Sequence, residues 1–218
     1  MRSDLEKRNR LLDSVIAARR SIRAFTDEVP PRAKVEAVIG AGLQAPFAEM
    51  AVGDRLDYRR FVVISRGGSI LKVAADLVRR RMEKDLARVR QQQGSQPEIA
   101  ARLEGFARRL QTFVDGGVPG VGDAPYFIVV AERKGAPSAE QQALAHCLQN
   151  MWLKATALEL GFHLVSATAL MSEDASFCEL LGVPFREYEL NGCAVGVPRS
   201  TPPPRRRPAL ADTTTWLE

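Results

Sequence analysis

The sequence has little of the chemistry that usually marks a site. It holds three cysteines and two histidines. Cys147, Cys178 and Cys193 are widely separated and form no CxxC, which points to buried free thiols in a reducing compartment. His146 stands next to Cys147, so on a helix the two point in different directions, and no metal site is expected. No apolar run approaches the roughly 18 residues of a membrane span. The first residues, MRSDLEKRNR, are polar and unlike a secretory signal, so the expected location is cytoplasmic. There is no GxxxxGK[ST], and the glycine-rich stretch DGGVPGVGDAP is not a GxGxxG between a strand and a helix; it reads as a loop. No Ser-His-Asp or Cys-His arrangement can be assembled. The net charge is +5, but zinc-knuckle spacing and an aromatic–basic platform are both missing. Its basic runs are therefore read first as solvated faces, and nucleic acid is not expected as the main partner.

What is present is an ordinary globular balance. The chain has 218 residues, 45% hydrophobic and 26% charged, enough for one domain with an elaborated insert. Periodicity predicts a helix from Asp4 to about Arg20, with Leu11, Leu12, Val15 and Ile16 on one face. A second helix begins near Pro31 and ends near Pro46. RRFVVIS (59–65) and YFIVVAE (126–132) read as buried strands. Two amphipathic segments between 70 and 114 flank the polar break QGSQ and read as a helical hairpin. It serves either as packing against the domain or a second subunit, or as a lid. The longest helix spans Ala139 to Leu160, with Gly161 as its expected C-cap. FHLVSATAL follows as strand or loop, then a short helix ending at Gly182, then the strand NGCAVGVP (191–198). The resulting fold class is α+β.

The densest charge lies in AARRSIRAF, where Arg19, Arg20 and Arg23 surround Ser21. Guanidinium forks and a hydroxyl suit a phosphate dianion. The same arginines at a helix end also suit the negative pole of the helix dipole, and spacing alone does not choose between these readings. A second basic group, Arg205 to Arg207, sits in a proline-rich tail. That tail is either solvated or, given its terminal Trp216–Leu217, docked.

LLDSVIAARRSIRAFTDEVPPRAKVEAVIGAGLQAP resembles the N-terminal signature of the nitroreductase family of FMN-dependent oxidoreductases. The likeness continues through FVVIS, DAPYFIVVAE, LQNMWLKATALELGF, VGVP and the basic tail, with 66–120 poorly matched. It implies a single domain over 1–218, with a central mixed sheet flanked by helices. It also implies a helical insert or lid over 66–120 and an extended tail over 199–218. It implies a homodimer with flavin sites at the subunit interface, and NADH or NADPH as electron donor. By motif position, Arg19, Arg20 and Ser21 would hold the FMN phosphate and ribityl chain. Arg23 would lie near the pyrimidine edge, and Arg205 and Arg207 would reach the phosphate. Pro46, Ser166 and Thr168 would also contact the cofactor. No catalytic side chain is implied, because the flavin carries the chemistry. The expected reaction is ping-pong reduction of a nitroaromatic, quinone or activated alkene. Alternatives are a specialised flavin reaction, or a non-catalytic flavin-binding or basic scaffold protein of the same fold. One departure stands out: the family's usual polar residues after Ala-Pro are replaced by Phe47 and Met50, which either shape an apolar substrate pocket or belong to the core.

Overall fold

The computed structural model describes residues 2–217, except for the side chains of residues 2, 3 and 97. A four-stranded sheet runs in the order β1–β2–β4–β3: β1 (Arg59–Ser65), β2 (Tyr126–Arg133), β3 (Gly161–Val165) and β4 (Tyr188–Gly196). All three strand pairs are antiparallel. The four strands thus form an antiparallel sheet rather than the expected mixed one, and the one parallel pairing, Ser21 to Phe162, is an isolated bridge outside them.

Helices cover both faces, which explains why β2 is a continuous apolar run rather than an alternating one. Ile128 and Val130 of β2 face one core, with Cys193 and Val195 of β4. Phe127, Val129 and Ala131 face the other, with Leu190 and Ala194. The first core is closed by α2 (Arg32–Leu43) and α6 (Glu140–Ala157). The second is closed by α4 (Ser69–Ser95), α5 (Pro97–Gly116) and α7 (Ala175–Leu180), with a 3-10 segment over Ser166–Glu173.

The hairpin of α4 and α5 breaks at Gln96, just before Pro97 opens α5. Its Leu71, Ala74, Val78, Met82, Leu86 and Val89 form a buried stripe at helical spacing, so α4 belongs to the core of this domain. Arg81 donates to the carbonyl of Leu170 at 2.8 Å and ties α4 to the 3-10 segment.

The first helix, α1 (Arg2–Ala18), behaves differently. Leu11, Leu12 and Ile16 remain 57%, 53% and 50% exposed, so its apolar face is not covered by the chain's own core. A short helix that the sequence did not predict, α3 (Glu49–Val52), follows the Ala45–Pro46 turn.

Among the described residues, one ion pair is buried inside the fold. Arg59 Nε and Nη2 donate to the two carboxylate oxygens of Glu132 at 2.6 and 3.1 Å. Its Nη1 and Nη2 also reach the carbonyls of Gly42, Ala45 and Pro46. A single guanidinium thus binds β2 to the end of α2 and to the turn after it.

Gly161 is not the cap of α6. The helix ends at Ala157, and the left-handed residue after it is Glu159, at φ 60°. Gly161 opens β3, where a Cβ would come within 2.8 Å of Ile22 and 3.1 Å of the Phe25 ring. Glycine is needed there for close approach rather than for backbone freedom. Gly161→Ala is expected to lower stability by about 1–3 kcal/mol, the usual range for overpacking. Denaturant unfolding reads this as a lower midpoint at unchanged slope.

Candidate functional site

The segment after α1 is stitched onto the sheet from both sides. Ile22 donates its N–H to the Phe162 carbonyl at 3.0 Å, and Thr26 donates to Val197 at 2.9 Å. Phe25 bridges Pro198, and the N–H of Arg199 returns to the Ala24 carbonyl at 3.0 Å. Ile22 and Phe25 are buried anchors. The intervening polar residues are left facing outward, beside the chain's C-terminal segment.

Arg19, Arg20, Ser21, Arg23, Arg205 and Arg207 line one cavity of about 930 Å³. Ile16 and Ala17 of α1, Gln149 and Trp152 of α6 and the prolines 202–204 complete it. Its wall contains five arginines and no carboxylate. Arg19 lies 4.2 Å over the Trp152 ring, which stacks on Phe162 at 5.1 Å and donates Nε1–H to the Arg20 carbonyl at 3.0 Å. Burial, together with the neighbouring charges of Arg207 and Arg20, pulls the Arg19 pKa below its usual value.

The members of the cluster sit in two different settings. Arg20 Nη1 donates to the Ala17 carbonyl at 2.6 Å and to the Arg19 carbonyl at 3.0 Å, capping the end of α1. Its Nε is buried without a partner. Arg19, Arg23, Arg205 and Arg207 make no side-chain hydrogen bond or ion pair among the described residues, and all four line the cavity. A buried orphan donor, crowded like charges and open forks are what a phosphate dianion would satisfy. The residues present fit the phosphate end of FMN.

A second cavity, of about 440 Å³, lies under the hairpin. One side is the exit of β3, His163 to Ala167 including Ser166; the other carries Met82, Phe106, Arg109, Leu110 and Phe113. Among the described residues, Arg23 alone lines both cavities. His163 Nδ1 is buried without a partner. Burial, reinforced by Arg23 and Arg109, pushes the His163 pKa down to about 4, so its ring is neutral at pH 7.

The remaining residues singled out in the sequence lie elsewhere. Thr168 is buried against the sheet: its hydroxyl has no partner and lies 2.6 Å from where a Cβ on Gly192 would sit. Pro46 contributes its carbonyl to Arg59. Phe47 stacks on Tyr58 with centroids 3.9 Å apart, and Met50 is 96% exposed. None of these four lines either cavity of the single chain. Conversely, Gln149, Trp152, Phe106, Arg109, Phe113 and His163 do line the cavities and were not singled out. Gln149 and Trp152 stand about one turn apart on α6, a spacing that brings both to the same cavity.

A model of the nitroreductase family matches residues 16–197. No curated protein matches the sequence. Among solved structures, the chain is similar to a BluB-like flavoprotein from Clostridium difficile 630. That match has a TM-score of 0.70 and 20% identity, and covers 95% of this chain and 99% of the other. A nitroreductase with bound FMN from Bacteroides fragilis NCTC 9343 aligns at TM-score 0.68 and 19% identity, over 95% of this chain and 98% of the other. An iodotyrosine deiodinase bound to FMN and 3-iodo-L-tyrosine aligns at TM-score 0.67 and 17% identity, over 94% and 100%. Identities at this level establish a shared fold.

Proposed function

The chain belongs to the nitroreductase family, and from that premise we propose that it is an FMN-dependent oxidoreductase reducing electron-poor acceptors with NADH or NADPH. The observation that carries this reading is the cavity walled by five arginines without a carboxylate. Solved relatives of the same fold hold FMN, including the Bacteroides fragilis protein and the deiodinase. Bound FMN would supply the two-electron chemistry between a nicotinamide donor and a nitroaromatic, quinone or activated alkene.

The chain's own residues bind and orient. Arg19, Arg205 and Arg207 meet the phosphate, with Arg20 Nε and the Ser21 hydroxyl as further donors. Arg23, shared by both cavities, places a cation where the phosphate side passes into the ring side. Ser166 lines the ring side, while the buried Thr168 supports that segment from within. The apolar wall of the second cavity excludes water from the reacting face.

We place two copies in the working assembly. The exposed apolar face of α1 supports this, as do Trp216 and Leu217, which are 83% and 95% exposed in one chain. Phe47 and Met50 would then face the partner's cavity. Cytoplasmic function is consistent with three buried free thiols; no described helix is long and apolar enough to cross a membrane.

The visible spectrum of the purified protein, followed by titration with FMN, tests the reading. Bound flavin absorbance and oxidation of NADH or NADPH with double-displacement kinetics are expected. Protein that takes up no FMN would sink the proposal. FMN binding without turnover by either donor would leave a flavin-binding protein and remove the enzyme.

A further inference from the structure

The hairpin wall of the second cavity carries a cation that the flavin reading leaves unused. Arg109 of α5 lines the cavity, with its guanidinium 5.8 Å from the centroid of the Phe113 ring. Of the other hairpin arginines, Arg79 pairs with Glu83, Arg81 and Arg88 with Asp85, and Arg108 with Glu104, while Arg80 and Arg102 have no partner among the described residues but do not line the cavity. Arg109 makes no hydrogen bond or ion pair among the described residues. The cavity wall contains Arg23 and Arg109, and neither an aspartate nor a glutamate. His163 is neutral and adds no charge. The rest of the hairpin side is apolar, and Phe106 on it is half exposed.

An apolar slot with aromatic walls favours a flat aromatic body. Unpaired guanidinium groups at its edge, with no competing carboxylate, favour an anion and offer it a planar fork. We infer that this cavity takes an aromatic acceptor bearing a carboxylate, and that Arg109 is the residue that selects for that charge. The inference rests on the flavin reading for turnover only; binding of the anion stands on the cavity itself. A phosphate of the nicotinamide donor presents similar charge, and the experiment separates the two.

4-Nitrobenzoate and 4-nitrobenzamide are nearly one shape and differ in charge. Calorimetric titration of each into the FMN-loaded and the flavin-free protein measures the preference directly. Wild type is expected to bind the nitrobenzoate at least about tenfold more tightly, a factor corresponding to about 1.4 kcal/mol. Arg109→Gln should abolish the preference, and Arg109→Lys should retain part of it, since lysine keeps the charge but not the fork. In steady state the Arg109→Gln loss should fall on KM for nitrobenzoate more than on kcat. Equal affinities in wild type, or a preference that survives Arg109→Gln, would overturn the inference. So would an Arg109→Gln variant that loses NADPH affinity while keeping its nitrobenzoate preference. A flat FMN titration defeats the flavin reading alone, because the anion preference is still decided on the flavin-free protein.

Discussion

Arg19→Ala and Arg207→Ala are each expected to weaken FMN binding by about 1.5–3 kcal/mol, roughly tenfold to a hundredfold in Kd. The magnitude is that of a charge-assisted hydrogen bond, and both side chains line the arginine cavity without a partner of their own. The flavin-free protein should respond differently. Burial and the like charges of Arg207 and Arg20 disfavour the Arg19 cation, so its removal relieves repulsion while losing its contact with the Trp152 face. Cation–π contacts at exposed sites contribute about 0.5–1 kcal/mol. The two effects offset, and the melting temperature without flavin should change little. Stabilisation by added FMN, which follows the ratio of ligand concentration to Kd, should shrink in both variants. Undiminished FMN affinity in both would remove these arginines from the cofactor site.

Arg59→Met should be the most destabilising single change outside the site. Breaking a buried ion pair by removing one partner costs about 3–5 kcal/mol, because the other charge is left without compensation. The side chains of Arg59 and Glu132 are 0% and 4% exposed. For a domain of this size the loss corresponds to about 6–20 °C in Tm. Arg59→Met with Glu132→Leu should recover much of it but not all, since the carbonyls of Gly42, Ala45 and Pro46 lose their donor. The pH dependence has a definite sign. Burial raises the Glu132 pKa even with Arg59 pulling it down. Without Arg59 the folded pKa rises further above the unfolded value of about 4.3, so the fold favours the protonated carboxyl. The deficit of Arg59→Met should therefore be largest near neutral pH and shrink as pH falls toward the unfolded pKa. A deficit independent of pH would show that the lost carbonyl contacts, rather than the stranded carboxylate, carry the cost.

Local pattern was legible where one element answers to one signal. The β-branched run 59–65 is β1 residue for residue, because a short buried strand leaves no room for another period. Gly161 was misread because glycine has two uses, positive φ and close approach, and the chain alone does not reveal that Ile22 and Phe25 pack there. Leu11, Leu12 and Ile16 followed the helical period correctly, yet periodicity says only that a face is apolar, not what covers it. The arginine cluster was readable because its members lie close together in sequence. The second cavity was not: His163 comes from a strand edge and Arg109 from a hairpin, and only tertiary packing brings them to one wall.

The tail that carries Arg205 and Arg207 has a mechanical consequence. Its last backbone hydrogen bond to the sheet side is made by Arg199, and Pro202, Pro203 and Pro204 lie between that fixed point and the arginines. Consecutive prolines hold an extended, semi-rigid geometry of about 3.1 Å per residue. The connection therefore acts as a strut rather than a tether. Much of the conformational freedom that a glycine linker would surrender on capturing an anion is already absent from the free chain. The arginines are carried at high effective concentration beside the cavity, and the entropy of bringing them there is settled by the covalent chain before any ligand arrives.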